Sequence, residues 1–305
     1  MQLLPLARPP PATAPWDYWL RSEGLLTRGF LPRAGPQSVT LLRAEESGVA
    51  ALVALGPVGS FGAVPFAEDL VRLMSLPQDP LLLRVERTAM LEQARWAVFE
   101  SFEGVSLWEL LQLQPRLPAA LVLRVLGQTA RAASKVEGWQ PSTDDVLLDV
   151  LGRLRLLPGF PGSVRADESS DTPGEERHPL GVPPEDAQAP GAQVMQLGTA
   201  LFELLTGTRL VESSGRSLLV RAADYSQLLR EVDRGGLSLA NVDSALEPFE
   251  PLLKKATRHL HSERFAGLPE LADALEGHPQ AGTQAELAQW VREALPKVPR
   301  TRDGR

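Results

Sequence analysis

The chain changes its apolar rhythm once, and that change limits the folds open to it. Up to about Phe99 the apolar residues come in short runs bounded by turns. Ser38-Val-Thr-Leu-Leu-Arg43 leads to the turn Glu46-Ser-Gly48, and a nearly all-apolar run follows from Val49 to Leu55. Such runs predict strands, and Leu81–Val85 and Trp96–Phe99 read the same way. Between them, Leu70, Leu73, Met74 and Leu76 predict one helical face over 66–76. Past Gly104 the period becomes helical. Ser106, with Glu109 three residues later, predicts a capping box for a helix reaching Leu113. Residues 118–136 are Ala- and Leu-rich, as suits a buried helix, and 194–206 closes on Gly207, a good C-cap. Further helices are predicted near 217–234, 247–258, 268–276 and 282–294. Strands followed by helices, with one crossing near Phe99–Gly104, make an α+β pattern.

Composition narrows the function. A chain of 305 residues can bury one large core or the two lobes of a bilobal unit. The net charge of −7 gives no general attraction to nucleic acid or anionic lipid. Absence of cysteine excludes disulfides, thiolate nucleophiles and Cys-ligated zinc. No apolar run reaches the ~18 residues that a membrane span needs. The first residues carry neither a basic n-region nor a sustained apolar core, so no signal peptide is expected and a cytoplasmic location is the default. Basic charge is almost all arginine: Lys135, Lys254, Lys255 and Lys297 are the lysines, and residues 1–134 contain none.

The run from Asp145 through Asp149, Gly152, Leu154 and Leu156 to Pro158-Gly159-Phe160 reads as strand, turn, strand. It resembles the protein kinase segment N-V-L-L-D-x-x-G-x-x-K-L-L-D-F-G. Three further stretches match in the family's order. Ala97-Val-Phe-Glu-Ser-Phe-Glu-Gly104-Val-Ser-Leu107 resembles the kinase hinge. Val194-Met-Gln-Leu-Gly198 through Leu205-Thr-Gly207 resembles the central helix of the large lobe in bacterial Ser/Thr (Hanks-type) kinases. Leu253-Lys-Lys-Ala256 through Arg264-Phe265 to Leu275 resembles that family's closing helices. Val182-Pro-Pro-Glu185 is similar to its A-P-E corner, whose Glu pairs with the position of Arg264. The resemblance covers about residues 29–276. It implies a bilobal kinase-like fold: an extension at 1–21, a β-rich N-lobe at 22–102, a helical C-lobe at 103–276, and a C-terminal helix with a basic tail at 277–305.

The same alignment implies that the chemistry has gone. Gln140 stands for the general base, and an amide cannot take a hydroxyl proton at neutral pH. Pro158 stands for the metal-binding Asp and offers no carboxylate. Asp145 replaces the Asn. Val53 falls where the ATP-anchoring lysine would be, and with no lysine before Lys135 a slip of register cannot supply one. The segment Phe30–Val39, with Gly35 beside Pro36, lacks the run of backbone N–H donors that a phosphate needs. Gln193 replaces the Asp that braces the catalytic loop, and Glu68 or Asp69 near the helix-C Glu is expected to be a solvated acid.

Other constellations have plainer readings. Asp144-Asp145 is chemically able to hold a cation, but a solvated turn is favoured without a second ligand. His259 and His261 are i, i+2 and diverge on a helix, so a zinc site is not expected. Trp139, in place of the Arg of H-R-D, is expected to fill or harden the nucleotide cleft together with Pro158. The candidate interaction or regulatory residues are Trp16 and Trp19 in the Pro-rich lead-in, Ser169, Ser170 and Thr172 in the acidic loop, and Trp290 on the last helix. The expectation is a catalytically inactive pseudokinase without cofactor or metal, acting as scaffold or allosteric regulator on a protein partner, such as an active Ser/Thr kinase or its substrate. The alternatives are a divergent phosphotransferase or nucleotidyl transferase with atypical metal binding, and a small-molecule sensor using the former nucleotide cleft.

Overall fold

The computed structural model describes residues 25–31, 40–46, 49–55, 60–91, 94–114, 116–136, 139, 141–158, 191–208, 210, 237–239 and 242–295. The expected helix near 217–234 lies outside them. Strands β1 (Leu25–Leu31), β2 (Thr40–Glu46) and β3 (Val49–Leu55) come first, followed by helix α1 (Ser60–Ser75) and strands β4 (Val85–Leu91) and β5 (Ala94–Phe99). They form an antiparallel sheet in the order β1-β2-β3-β5-β4. A second, three-stranded antiparallel sheet joins β6 (Val105–Ser106), β7 (Val146–Leu148) and β8 (Leu154–Leu156). The helices are α2 (Leu107–Leu113), α3 (Ala119–Ala133), α4 (Ala192–Thr206), α5 (Glu250–Ala256), α6 (Leu268–Glu276) and α7 (Gln284–Ala294), with a 3-10 turn at Ser244–Phe249 before α5. Mixed α+β architecture is therefore observed.

Two of the sequence expectations shift. α1 begins at Ser60, ahead of Pro65, not at Phe66. A proline past the first turn forgoes its i→i−4 bond and crowds the carbonyl four residues back, a cost that the buried face of Phe66, Leu70 and Leu73 offsets. The apolar run Leu81–Leu83 is not a strand of the five-stranded sheet, and the strand begins at Val85. Leu81–Leu83 is apolar because it is buried against β8: Leu82 bridges Leu156, Leu83 N–H donates to Leu156 O at 2.8 Å, and Leu156 N–H donates to Leu81 O at 2.7 Å.

Two apolar clusters follow from the two periods. Under the five-stranded sheet, Phe66, Leu70 and Leu73 recur at i, i+4 and i+7 along α1 and pack with Ala54, Ala97 and Phe99. Leu147 of β7 and Leu157, just past β8, enter the same cluster. The larger cluster is helical. α3 is buried on nearly every side, as its Ala/Leu content suggests, and packs between α4 and α6. Arg131 fastens α3 to α6 through Asp273 at 2.9 Å and Glu276 at 2.6 Å. These half-exposed pairs are worth at most about 1 kcal/mol each. The burial of Leu271, Ala272 and Leu275 of α6 is the stronger bond. Gly207 ends α4 in the left-handed region (φ 71°), as its position predicts.

Candidate functional site

The β7–β8 hairpin gathers the residues that the sequence singles out. Val146 pairs with Leu156, so Asp145 just before β7 lies opposite Leu157, with Pro158 the next residue at the hairpin's open end. Leu157 N–H donates to Asp145 O at 2.8 Å and closes that end. Asp145 is fully buried, and its Oδ2 accepts the Ser142 N–H at 2.9 Å. Asp144 is buried as well, which corrects the solvated-turn reading of this pair. Charged carboxylates tolerate burial when backbone N–H groups satisfy them, and Asp145 has such a donor. Pro158 is buried and contributes a ring where a metal would need an oxygen. Among the described residues, no group of three or more His, Cys, Asp or Glu is placed to hold a metal ion.

Asp149 organises the other end. Its Oδ1 accepts Leu151 N–H at 2.9 Å and Arg153 N–H at 2.8 Å, and its Oδ2 accepts Arg153 Nε at 2.5 Å. Gly152 takes φ 68° to complete the turn, a conformation that costs glycine little.

The segment before the hairpin is braced from α4. Gln193 Nε2 donates to Trp139 O at 2.7 Å, and Gln196 Nε2 lies 3.4 Å from Pro141 O. The brace that an aspartate would make by accepting is made here by an amide that donates. A carbonyl can only accept, so the atom facing Trp139 O must be the amide nitrogen. Trp139 is 2% exposed and belongs to the helical cluster, not to the cluster beneath the five-stranded sheet. It is therefore a core residue of the helical part, which corrects its expected role as a plug of the cleft.

Val53 is fully buried in β3 between Leu42 and Val98, a site with no room for an unpaired ammonium. Asp69, expected to be solvated, is 5% exposed, with Oδ1 3.8 Å from Arg72 Nη2; Glu68 is exposed. Arg264 donates to three backbone carbonyls, those of Arg258, Gly191 at 3.0 Å and His259 at 2.8 Å, and so holds the start of α4 against the turn after α5. Trp290, expected as a docking residue, is 7% exposed and buried with Leu287, Val291 and Ala294 in the helical core. α7 is amphipathic because one face closes this core, which corrects the reading of that face as an interaction surface. Gln140, Glu185, Trp16, Trp19, Ser169, Ser170 and Thr172 lie outside the described residues.

The sequence reading missed the polar contacts that join the two sheets. Lys135, at the end of α3, pairs with Asp79 in the loop between α1 and β4. Asp79 Oδ1 also accepts Leu81 N–H at 2.7 Å. Arg155 of β8 pairs with Glu100, just past β5, at 3.2 Å. One signal was available: Lys135 is the first lysine of the chain, set directly after a long buried helix. Elsewhere, a surface depression is lined by Glu250, Pro251, Lys254, Lys255, Arg258 and Glu263. Its cations face carboxylates, Lys254 at 2.9 Å from Glu250 and Lys255 at 2.7 Å from Glu270. No protein-family model matches the chain, and no curated protein matches it significantly.

Proposed function

We propose that the chain is a catalytically inactive pseudokinase with a bilobal kinase-like fold, working inside the cell as a scaffold or allosteric regulator of a protein partner. The arrangement of the first sheet supports the fold. An antiparallel order β1-β2-β3-β5-β4 with a helix inserted between β3 and β4, followed by a short-stranded hairpin and a helical region, is what the resemblance implies for a small and a large lobe. Arg264 at the base of α4 and the brace from α4 to Trp139 keep the scaffold of such a lobe.

One observation carries the inactive reading. At the open end of the hairpin, the two positions that would hold metal are a buried proline and a carboxylate accepting the Ser142 N–H. Metal coordination there would require Asp145 to give up that bond and would still lack a second ligand. In this reading the small and large lobes are tied to each other by the chain's own contacts, Leu83–Leu156, Asp79–Lys135 and Glu100–Arg155.

Calorimetric titration with ATP, alone and with magnesium or manganese, tests this reading. The expected result is no binding heat and no rise in melting temperature at millimolar nucleotide. A metal-dependent Kd below about 1 mM, which would stabilise the fold by mass action, refutes it. A partner recovered by cross-linking in the native cell is expected to be a Ser/Thr kinase or one of its substrates.

A further inference from the structure

We propose that α7 is a clamp on the β7–β8 turn, so that the order of the hairpin bearing Asp145 and Pro158 depends on a helix 133 residues further along the chain. Each strand of that hairpin is three residues long. Strands this short are marginal without another element to bury their faces. β6 adds two residues of pairing to β7, and the open end is tied to Leu81 and Leu83. The turn itself projects outward: Val150 and Leu151 are 43% and 54% exposed. What it rests on is the first turn of α7.

That seat has two parts. Gln284 Nε2 donates to Leu151 O at 3.1 Å. Gly152 lies so close to the helix backbone that a Cβ there would run into Gln284 O and approach Ala288 N to 2.7 Å and Ala288 Cα to 3.1 Å. Backbone and not flexible side chain forms the wall, so the obstacle cannot swing aside. α7 is in turn fixed by Leu287, Trp290 and Val291, which share a cluster with Leu107 and Leu110 of α2 and with Leu148 and Leu154 of the hairpin. The Thr283–Glu286 capping box sets where the helix starts and hence where Gln284 points. Turn and helix thus bear on each other through this seat and through the shared apolar cluster, so displacing the turn loosens the helix as well. The clamp is a property of the fold and holds whether or not the regulatory reading is correct.

Hydrogen exchange on the full-length chain tests it, with Gly152→Ala acting from the turn and Gln284→Ala acting from the helix. In Gly152→Ala, amides of 146–157 and of 287–294 are expected to exchange faster together, by about tenfold or more, while α3 and α6 stay close to wild type. Gln284→Ala is expected to move the same two segments by a smaller factor. Opening of the hairpin with α7 still protected would mean that only the backbone strain of alanine at φ 68° matters, and would overturn the clamp. Equal acceleration in every element would overturn it too, since the loss is then global. Should Gly152→Ala fail to fold, Gln284→Ala decides alone, and unchanged hairpin exchange in that variant refutes the proposal.

Discussion

The amide brace between α4 and the segment before the hairpin has a polarity that a single charge change reverses. Gln193 donates to the Trp139 carbonyl at 2.7 Å, and Trp139 is buried in the helical core. Gln193→Ala removes one hydrogen bond to a main-chain carbonyl, which costs about 1 kcal/mol. Gln193→Glu is nearly the same size but puts a carboxylate oxygen against that carbonyl. The bond is lost, an acceptor is left unmet, and two oxygens repel, for a cost of about 2–3 kcal/mol. At about 2–4 °C per kcal/mol for a chain of this size, the melting temperature should fall by roughly 4–12 °C. Urea denaturation at pH 7 measures the same effect as a lower midpoint at unchanged slope. A glutamic acid can donate once protonated, so the gap between Gln193→Glu and wild type should narrow in acid, as that side chain takes up its proton. The reasoning fails if Gln193→Glu is as stable as wild type, or more stable than Gln193→Ala, at neutral pH. Either outcome would mean that no donor is needed at Trp139.

Two further variants probe the elements around the hairpin. Ser106 and Glu109 form a reciprocal capping box at the start of α2, with Glu109 N–H donating to Ser106 Oγ at 3.2 Å and Ser106 N–H donating to Glu109 Oε2 at 2.7 Å, both residues buried. Ser106→Ala is expected to cost about 1–2 kcal/mol in urea denaturation, and no loss would show that α2 is held by packing alone. Burial pushes the Glu250 carboxyl up, but Leu239 N–H at 2.5 Å, Ser238 Oγ at 2.7 Å and Lys254 outweigh it and hold its pKa below the usual 4.5. A lowered pKa contributes stability that is present above the unfolded value and lost as the pH falls through the folded one. Wild type should therefore out-melt Glu250→Gln at pH 7, with the difference shrinking below about pH 4.5. A difference that stays constant down to pH 3 contradicts this.

Several elements were legible from local pattern because local physics decides them. The capping box at Ser106, the C-cap at Gly207, the hairpin turn at Gly152 and the buried character of α3 each depend on residues within a few positions of one another. The burial of Pro158 beside Asp145 was also within reach, since a strand–turn–strand reading brings the two ends of the run together. The misread elements share a different cause. Leu81–Leu83 looked like a sheet strand because apolar content marks burial, not the surface that does the burying. Trp290 and Trp139 looked available for docking or for filling a cleft, but both are enclosed by helices far away in sequence. Asp69 looked solvated on its helix, whereas α1 turns it inward.

By itself, the sequence determined that strands precede helices, that no lysine stands before residue 135, and that no carboxylate follows Leu157 at the end of the hairpin. Those are properties of composition and order, and no packing can alter them. Only the tertiary structure decided which apolar faces meet: that α7 closes the core and seats on Gly152, that Gln193 supplies a donor to Trp139, and that Lys135 reaches Asp79. Contacts between residues dozens of positions apart leave no periodicity behind. They depend on where each helix ends and how it is rotated, which the whole core sets at once.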